Sequence, residues 1–233
     1  MTRSRTALLT LISTAALCLP IGLAGPSSAA TNPAPKVIVK APNPRTGVVT
    51  GRVLLGGASN SASRNFTATP ATKGTVAIDA TTGAFTYTPT AAARHAASRI
   101  GASPADRSDS FTVTVTDSGF HINLLANLLV APANSAPAAT VQASTYDPTT
   151  GVVTGTVTAT DADSDPLTYR GNARSGKGTV VIDATTGAFT YTPTAAARRG
   201  AKGANGPNSF TITVTDGYGG TDSISWGCCE PIR

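Results

Sequence analysis

The residues of this chain best suited to chemistry lie in one short stretch, Asp161-Ala-Asp163-Ser-Asp165. Alternate carboxylates on a loop can converge on one hard cation, and Ca2+ takes about six to eight oxygen ligands. The rest of an EF-hand is missing, with no glycine at the sixth position and no terminal glutamate. The same carboxylates can also stand solvated, with no ion between them. Asp216 is a fourth candidate ligand, ending an alternating segment and opening the Gly217-Tyr-Gly-Gly220 turn, although it can equally cap that turn. With so few carboxylates, Ca2+ is expected to bind weakly, on the order of 0.1 to 1 mM.

Other chemistry finds little support. Glu230 is the only glutamate, and His95 and His121 lie in no motif and read as exposed loop histidines. No Gly-x-Ser-x-Gly elbow accompanies the many serines. The segment from Gly171 through Gly176-Lys177-Gly178 approaches a phosphate-binding loop. It places glycine where a magnesium-binding Ser or Thr is needed, and a strand-like run follows where a helix should begin. No catalytic residues and no organic cofactor are expected.

The elements that must position the carboxylates follow from the rest of the chain. Arg3 and Arg5 precede an apolar stretch, Ala7 to Ala24, and Ser28-Ala29-Ala30 offers a cleavage site. Residues 1–30 therefore read as a signal peptide, with the mature chain starting near Thr31, secreted or at the cell surface. No later segment is long and apolar enough to span a bilayer. Cys228 and Cys229 are adjacent, which suits neither an easy mutual bridge nor a zinc site. The formal charge of +6 falls to +4 without Arg3 and Arg5, and no basic segment carries interleaved aromatics, so nucleic acid is not an expected partner.

Self-comparison shows an internal repeat. Lys73 to Arg94 and Lys177 to Arg198 differ only at Ala77 against Val181. Thr46 to Gly51 recurs as Thr150 to Gly155, and Ser110 to Asp117 recurs as Ser209 to Asp216 with one conservative change. Within Ser209 to Asp216, Phe210, Ile212 and Val214 alternate with threonines, the period of a half-buried strand. Four turns of the form Asx-x-x-Thr-Gly, starting at Asn43, Asp79, Asp147 and Asp183, predict hairpins. A short helical turn is expected at Thr90 to Ile100 and again at Thr194 to Lys202, and a linker near Ala131 to Pro137. The first repeat has no acidic residue before Asp79, so any cation site belongs to the second.

Val157-Thr-Ala-Thr-Asp-Ala-Asp-Ser-Asp-Pro-Leu-Thr-Tyr169, followed by Val181-Ile-Asp-Ala-Thr-Thr-Gly187, resembles the cadherin repeat. It is closest to the bacterial cadherin-like and Ig-like tandem repeats (VCBS type) of exported adhesins. The resemblance covers nearly all of residues 36 to 225. It implies an all-β protein of two tandem Greek-key Ig/cadherin-like β-sandwiches, residues 31–134 and 135–233, for adhesion or spacing. It also implies that Asp161 and Asp163 form a calcium loop near a domain junction, with Asn134 matching part of the linker. The acidic Leu-Asp-Arg-Glu element of cadherins is replaced by Tyr191 to Arg198, and the first repeat lacks the Asp-x-Asp loop. The final strand is expected to be truncated, because Trp226-Gly-Cys-Cys-Glu-Pro-Ile-Arg233 interrupts the alternation. The expected partner is an extracellular protein or glycan surface. One alternative is a module binding a glycan or anionic wall polymer through Arg94, His95 and Arg99, with Arg198, Arg199 and Lys202 in the second repeat. Another is a remnant of a larger adhesin.

Overall fold

The computed structural model describes residues 33–56, 63–173, 177–200, 209–227 and 230–232. The expected signal peptide, Gly57 to Ala62, Lys202, Cys228 and Cys229 lie outside the described residues.

The first repeat contributes β1 (Lys36–Val39), β2 (Val49–Leu54), β3 (Asn65–Ala68), β4 (Gly74–Ile78), β5 (Ala84–Pro89), α1 (Ala91–Ser98), β6 (Ser108–Asp117) and β7 (Phe120–Leu129). The second contributes β8 (Ala138–Tyr146), β9 (Val153–Thr160), β10 (Thr168–Ala173), β11 (Gly178–Ile182), β12 (Ala188–Pro193), α2 (Ala195–Gly200), β13 (Ser209–Thr215), β14 (Thr221–Gly227) and β15 (Glu230–Ile232). Sheet orders are β1-β2-β5-β4 with β3-β6-β7, then β8-β9-β12-β11 with β10-β13-β14-β15. All pairings are antiparallel. In both repeats the chain leaves the first sheet after its second strand, returns for two strands, and crosses again over the short helix. The fold is all-β, with Greek-key sandwiches built on the same plan.

Period-two patterning sets the cores. Phe111, Val113 and Val115 of β6 are buried, with the alternating threonines facing outward. They meet Val49, Val53, Phe85 and Tyr87 from the opposite sheet. In the second repeat, Phe210, Ile212 and Val214 meet Val153, Val157, Phe189 and Tyr191. Each predicted Asx turn forms, its side-chain oxygen accepting from the N–H groups two and three residues on. Gly47 closes the first with φ +75°, and a Cβ there would lie 2.7 Å from Arg94 Nε. Thr90 caps α1 by accepting from Ala93 N at 3.1 Å.

The tail adds one feature. Trp226 pairs with Phe210 across β13 and β14 and is 1 % exposed, its ring stacked on Phe210 at 4.7 Å. It serves the core and offers no platform to a sugar. The chain then pairs back on β14 as β15.

Candidate cation site at the junction of the repeats

The β9–β10 loop folds around its own first carboxylate. Asp161 Oδ1 accepts from Asp163 N at 2.8 Å and from Asp165 N at 3.3 Å, while Ser164 takes a positive φ of 62°. This local bonding turns the loop back on itself and leaves Asp161 Oδ2 buried without a hydrogen-bond partner.

Asp216, at the end of β13, is 2 % exposed. Its Oδ1 accepts from Tyr218 N at 2.7 Å and Gly220 N at 3.0 Å, and its Oδ2 from Asn134 Nδ2 at 2.7 Å. Gly220 makes the approach possible, since a Cβ there would sit 2.0 Å from Asp216 Oδ2. Burial opposes ionisation of Asp216, but these three donors hold its pKa below the ordinary value. Asn134 Oδ1 is the second buried side-chain oxygen here without a partner.

The sequence candidates therefore divide. Asp161, Asp165 and Asp216 each place an oxygen within 4.8 Å of the others. Asp163 is exposed and stands to one side. Its Oδ2 accepts from Ser135 N at 2.7 Å, which lowers its pKa, and it groups with Asp165 and His95. An all-oxygen set of three carboxylates and an amide oxygen has the hardness that Ca2+ prefers. Two desolvated oxygens lacking any donor are the atoms a cation would satisfy.

Residues outside the expected set complete the site. His95, expected on a solvated loop, reaches across from α1 of the first repeat. Its Nε2 lies 2.9 Å from Asp165 Oδ2, and its ring stacks on Tyr218 at 4.1 Å. Ile100 N donates to Gly217 O at 3.1 Å beside it. One sequence signal distinguished His95, namely that the equivalent position in the second repeat is Arg199.

The basic cluster proposed for a polymer ligand is also reassigned in the first repeat. Arg94 donates to Ala131 O, Arg45 O, Pro44 O and Pro132 O at 3.0 to 3.3 Å. It ties the linker to the β1–β2 turn, and with His95 engaged by Asp165 the pair is not a free cationic surface. Arg198, its counterpart, donates to Thr150 O at 3.4 Å.

No curated protein matches the chain. Among solved structures it is similar to protocadherin gamma B2 extracellular domains 3–6, at 15 % identity and TM-score 0.33, covering 83 % of this chain and 48 % of that one. It is also similar to Drosophila N-cadherin EC1–3, at 15 % identity and TM-score 0.28, covering 76 % and 58 %. A third is a SusE-like surface-located polysaccharide-binding protein of Bacteroides thetaiotaomicron, at 10 % identity and TM-score 0.26, covering 84 % and 33 %. The chain spans less than two thirds of each. The profile of the bacterial cadherin-like domain matches residues 134–225, from the linker asparagine through Asp161 and Asp216 to the middle of β14. Residues 134–225 are thus similar to a bacterial cadherin-like domain.

Proposed function

We propose that this protein is an exported adhesion or spacer module of two cadherin-like repeats, residues 31–134 and 135–233, joined by a calcium-binding junction. A cadherin-like domain is an extracellular structural module, of a fold that is generally non-catalytic, and its partner is an extracellular protein or glycan surface. Cleavage of residues 1–30 releases the chain. No helix among the described residues is long and apolar enough to cross a membrane.

The observation that carries the calcium reading is the pair of orphaned oxygens, Asp161 Oδ2 and Asn134 Oδ1, beside the Asp161–Asp165–Asp216 group. A cation held there links the β9–β10 loop, the linker and the β13–β14 turn. Asp165 also contacts His95, so the ion would draw on a carboxylate already shared with the first repeat. Calcium would then stiffen the joint as well as stabilise the domain.

The test is thermal unfolding and calorimetric titration of the purified protein with calcium and with chelator. Calcium should raise the melting midpoint, and Asp161→Asn with Asp216→Asn should abolish the shift. A shift that survives both substitutions would overturn the site.

A further inference from the structure

We propose that the outer face of the β1-β2-β5-β4 sheet binds a linear anionic polysaccharide, independently of the cation site. The two repeats differ sharply in charge. Residues 33–134 carry nine lysines and arginines against four aspartates, whereas residues 135–233 carry seven against eight carboxylates.

The engaged cations of the first repeat can be set aside one by one. Arg64 pairs with Asp117 at 3.3 Å. Lys73 donates to the carbonyls of Ala105 and Ser108, and Arg107 to that of Ala97. Arg94 holds the linker, and Arg99 lies close enough to Asp106 to help lower its pKa. The four that remain, Lys36, Lys40, Arg45 and Arg52, have side chains with no hydrogen-bond or ion-pair partner among the described residues. All four belong to the β1–β2 hairpin. The matching hairpin of the second repeat, residues 138–160, contains no lysine or arginine.

The hairpin geometry gathers these charges. Val37 and Val39 pack on the core, so Lys36, Ile38 and Lys40 share the outer face. Arg52 stands directly across from Ile38, between the two lysines. At about 3.3 Å per residue, Lys36 and Lys40 lie roughly 13 Å apart along the strand, with Arg52 one strand over. Lys40, Arg52, Ile38, Ala77, Ala84 and Thr86 line an open groove of about 1030 Å³. Asp79 also lines it, held ionised by the N–H groups of Thr81 and Thr82 in its own turn, so one carboxylate stands against Lys40 and Arg52 and the groove keeps a net positive charge.

The one difference within the near-identical 22-residue segments falls on this face. Ala77 lines the groove, whereas its counterpart Val181 is 70 % exposed and projects from the second repeat. The small residue leaves the space that valine occupies. The groove offers cations, threonine hydroxyls and small aliphatic groups, and its one aromatic, Phe85, is buried in the core. Nucleobases find no stacking platform there, and a membrane finds no apolar wedge. β1 is the edge strand of this sheet, but a peptide strand added there would run beside Lys36 and Lys40 and leave Arg52 and the Ala77 floor, one to three strands inward, unused. A flexible polymer of sugars with spaced carboxylates or sulfates matches separated cations over a hydroxyl-lined floor.

The experiment is titration of the purified protein with polygalacturonate and with dextran sulfate across a salt series. Neutral dextran, single-stranded DNA, polyglutamate and anionic phospholipid vesicles serve as competing probes. Both acidic polysaccharides should bind, neutral dextran should not, and the log–log salt slope should flatten by about one for each cation removed. Lys36→Gln/Lys40→Gln/Arg52→Gln should weaken binding by about tenfold or more at low salt. Ala77→Val should weaken it while keeping the fold, because valine stands at that place in the second repeat. Asp161→Asn and Asp216→Asn should leave it unchanged, which separates this surface from the calcium reading. Full affinity in the triple variant or in Ala77→Val would overturn the proposal. So would equal binding of neutral dextran, or tighter binding of DNA, polyglutamate or vesicles than of the acidic polysaccharides.

Discussion

His95 Nε2 of the first repeat stands 2.9 Å from Asp165 Oδ2 of the second, with the imidazole stacked on Tyr218. Burial alone would lower the histidine pKa, but the hydrogen bond and charge of Asp165 outweigh it, and the pKa is raised from its ordinary 6.5. A histidine with a raised folded-state pKa adds stability that is full below the unfolded value and is lost as pH rises through the folded one. In chelator, the stability difference between the protein and His95→Gln should therefore be larger at pH 6 than at pH 8. NMR titration should place the His95 midpoint above 6.5. A midpoint below that value would show that the Asp165 contact does not persist in solution.

Calcium at ten times its dissociation constant should stabilise the folded state by about 1.4 kcal/mol. For a folded chain of this size that moves the melting midpoint by a few degrees. Asp161→Asn should remove most of the shift, and Asn134→Ala a part of it. Differential scanning calorimetry with calcium and with chelator measures both.

Asp109 is the buried carboxylate of the first repeat, accepting from Tyr87 Oη, Thr72 Oγ1, Lys73 N and Ser110 N at 2.8 to 2.9 Å. Burial works against its charge, yet the donors win and its pKa falls below 3.8, while the Tyr87 pKa is pushed up. The stability it confers is present above pH of about 3.8 and is lost as pH falls through the lower folded-state value. Asp109→Asn should cost about 1 to 3 kcal/mol at pH 7, and the difference should shrink in acid, as read by urea unfolding.

Arg94 fastens the linker through a planar set of donors that lysine cannot reproduce. Arg94→Lys should cost about 1 to 2 kcal/mol. Limited proteolysis should cut residues 131–137 faster in the variant. Unchanged cleavage would mean that the four carbonyl contacts do not restrain the linker.

The strands, hairpins and helical turns were legible from the chain because their causes are local. Alternation in Phe210, Ile212 and Val214 selects a buried face, and each Asx-to-glycine turn is closed by its own side chain and backbone. Repetition of the same segments at a nearly constant offset showed that this plan occurs twice. The β9–β10 loop was legible for the same reason, because Asp161 organises it with its own neighbours.

What joined the repeats was decided only in three dimensions. His95 and Asp165 lie 70 residues apart, and Asn134 and Asp216 lie 82 apart. No local pattern states that an α1 histidine or a linker asparagine will meet a loop of the next repeat. Packing also separated cations that looked alike in the sequence. Arg94 is spent on backbone carbonyls, whereas Lys36, Lys40 and Arg52 are left outward, because β-strand alternation turns Val37, Val39 and Val53 into the core. A basic residue's role depends on which acceptors the tertiary fold brings within reach, and the chain order alone does not specify them.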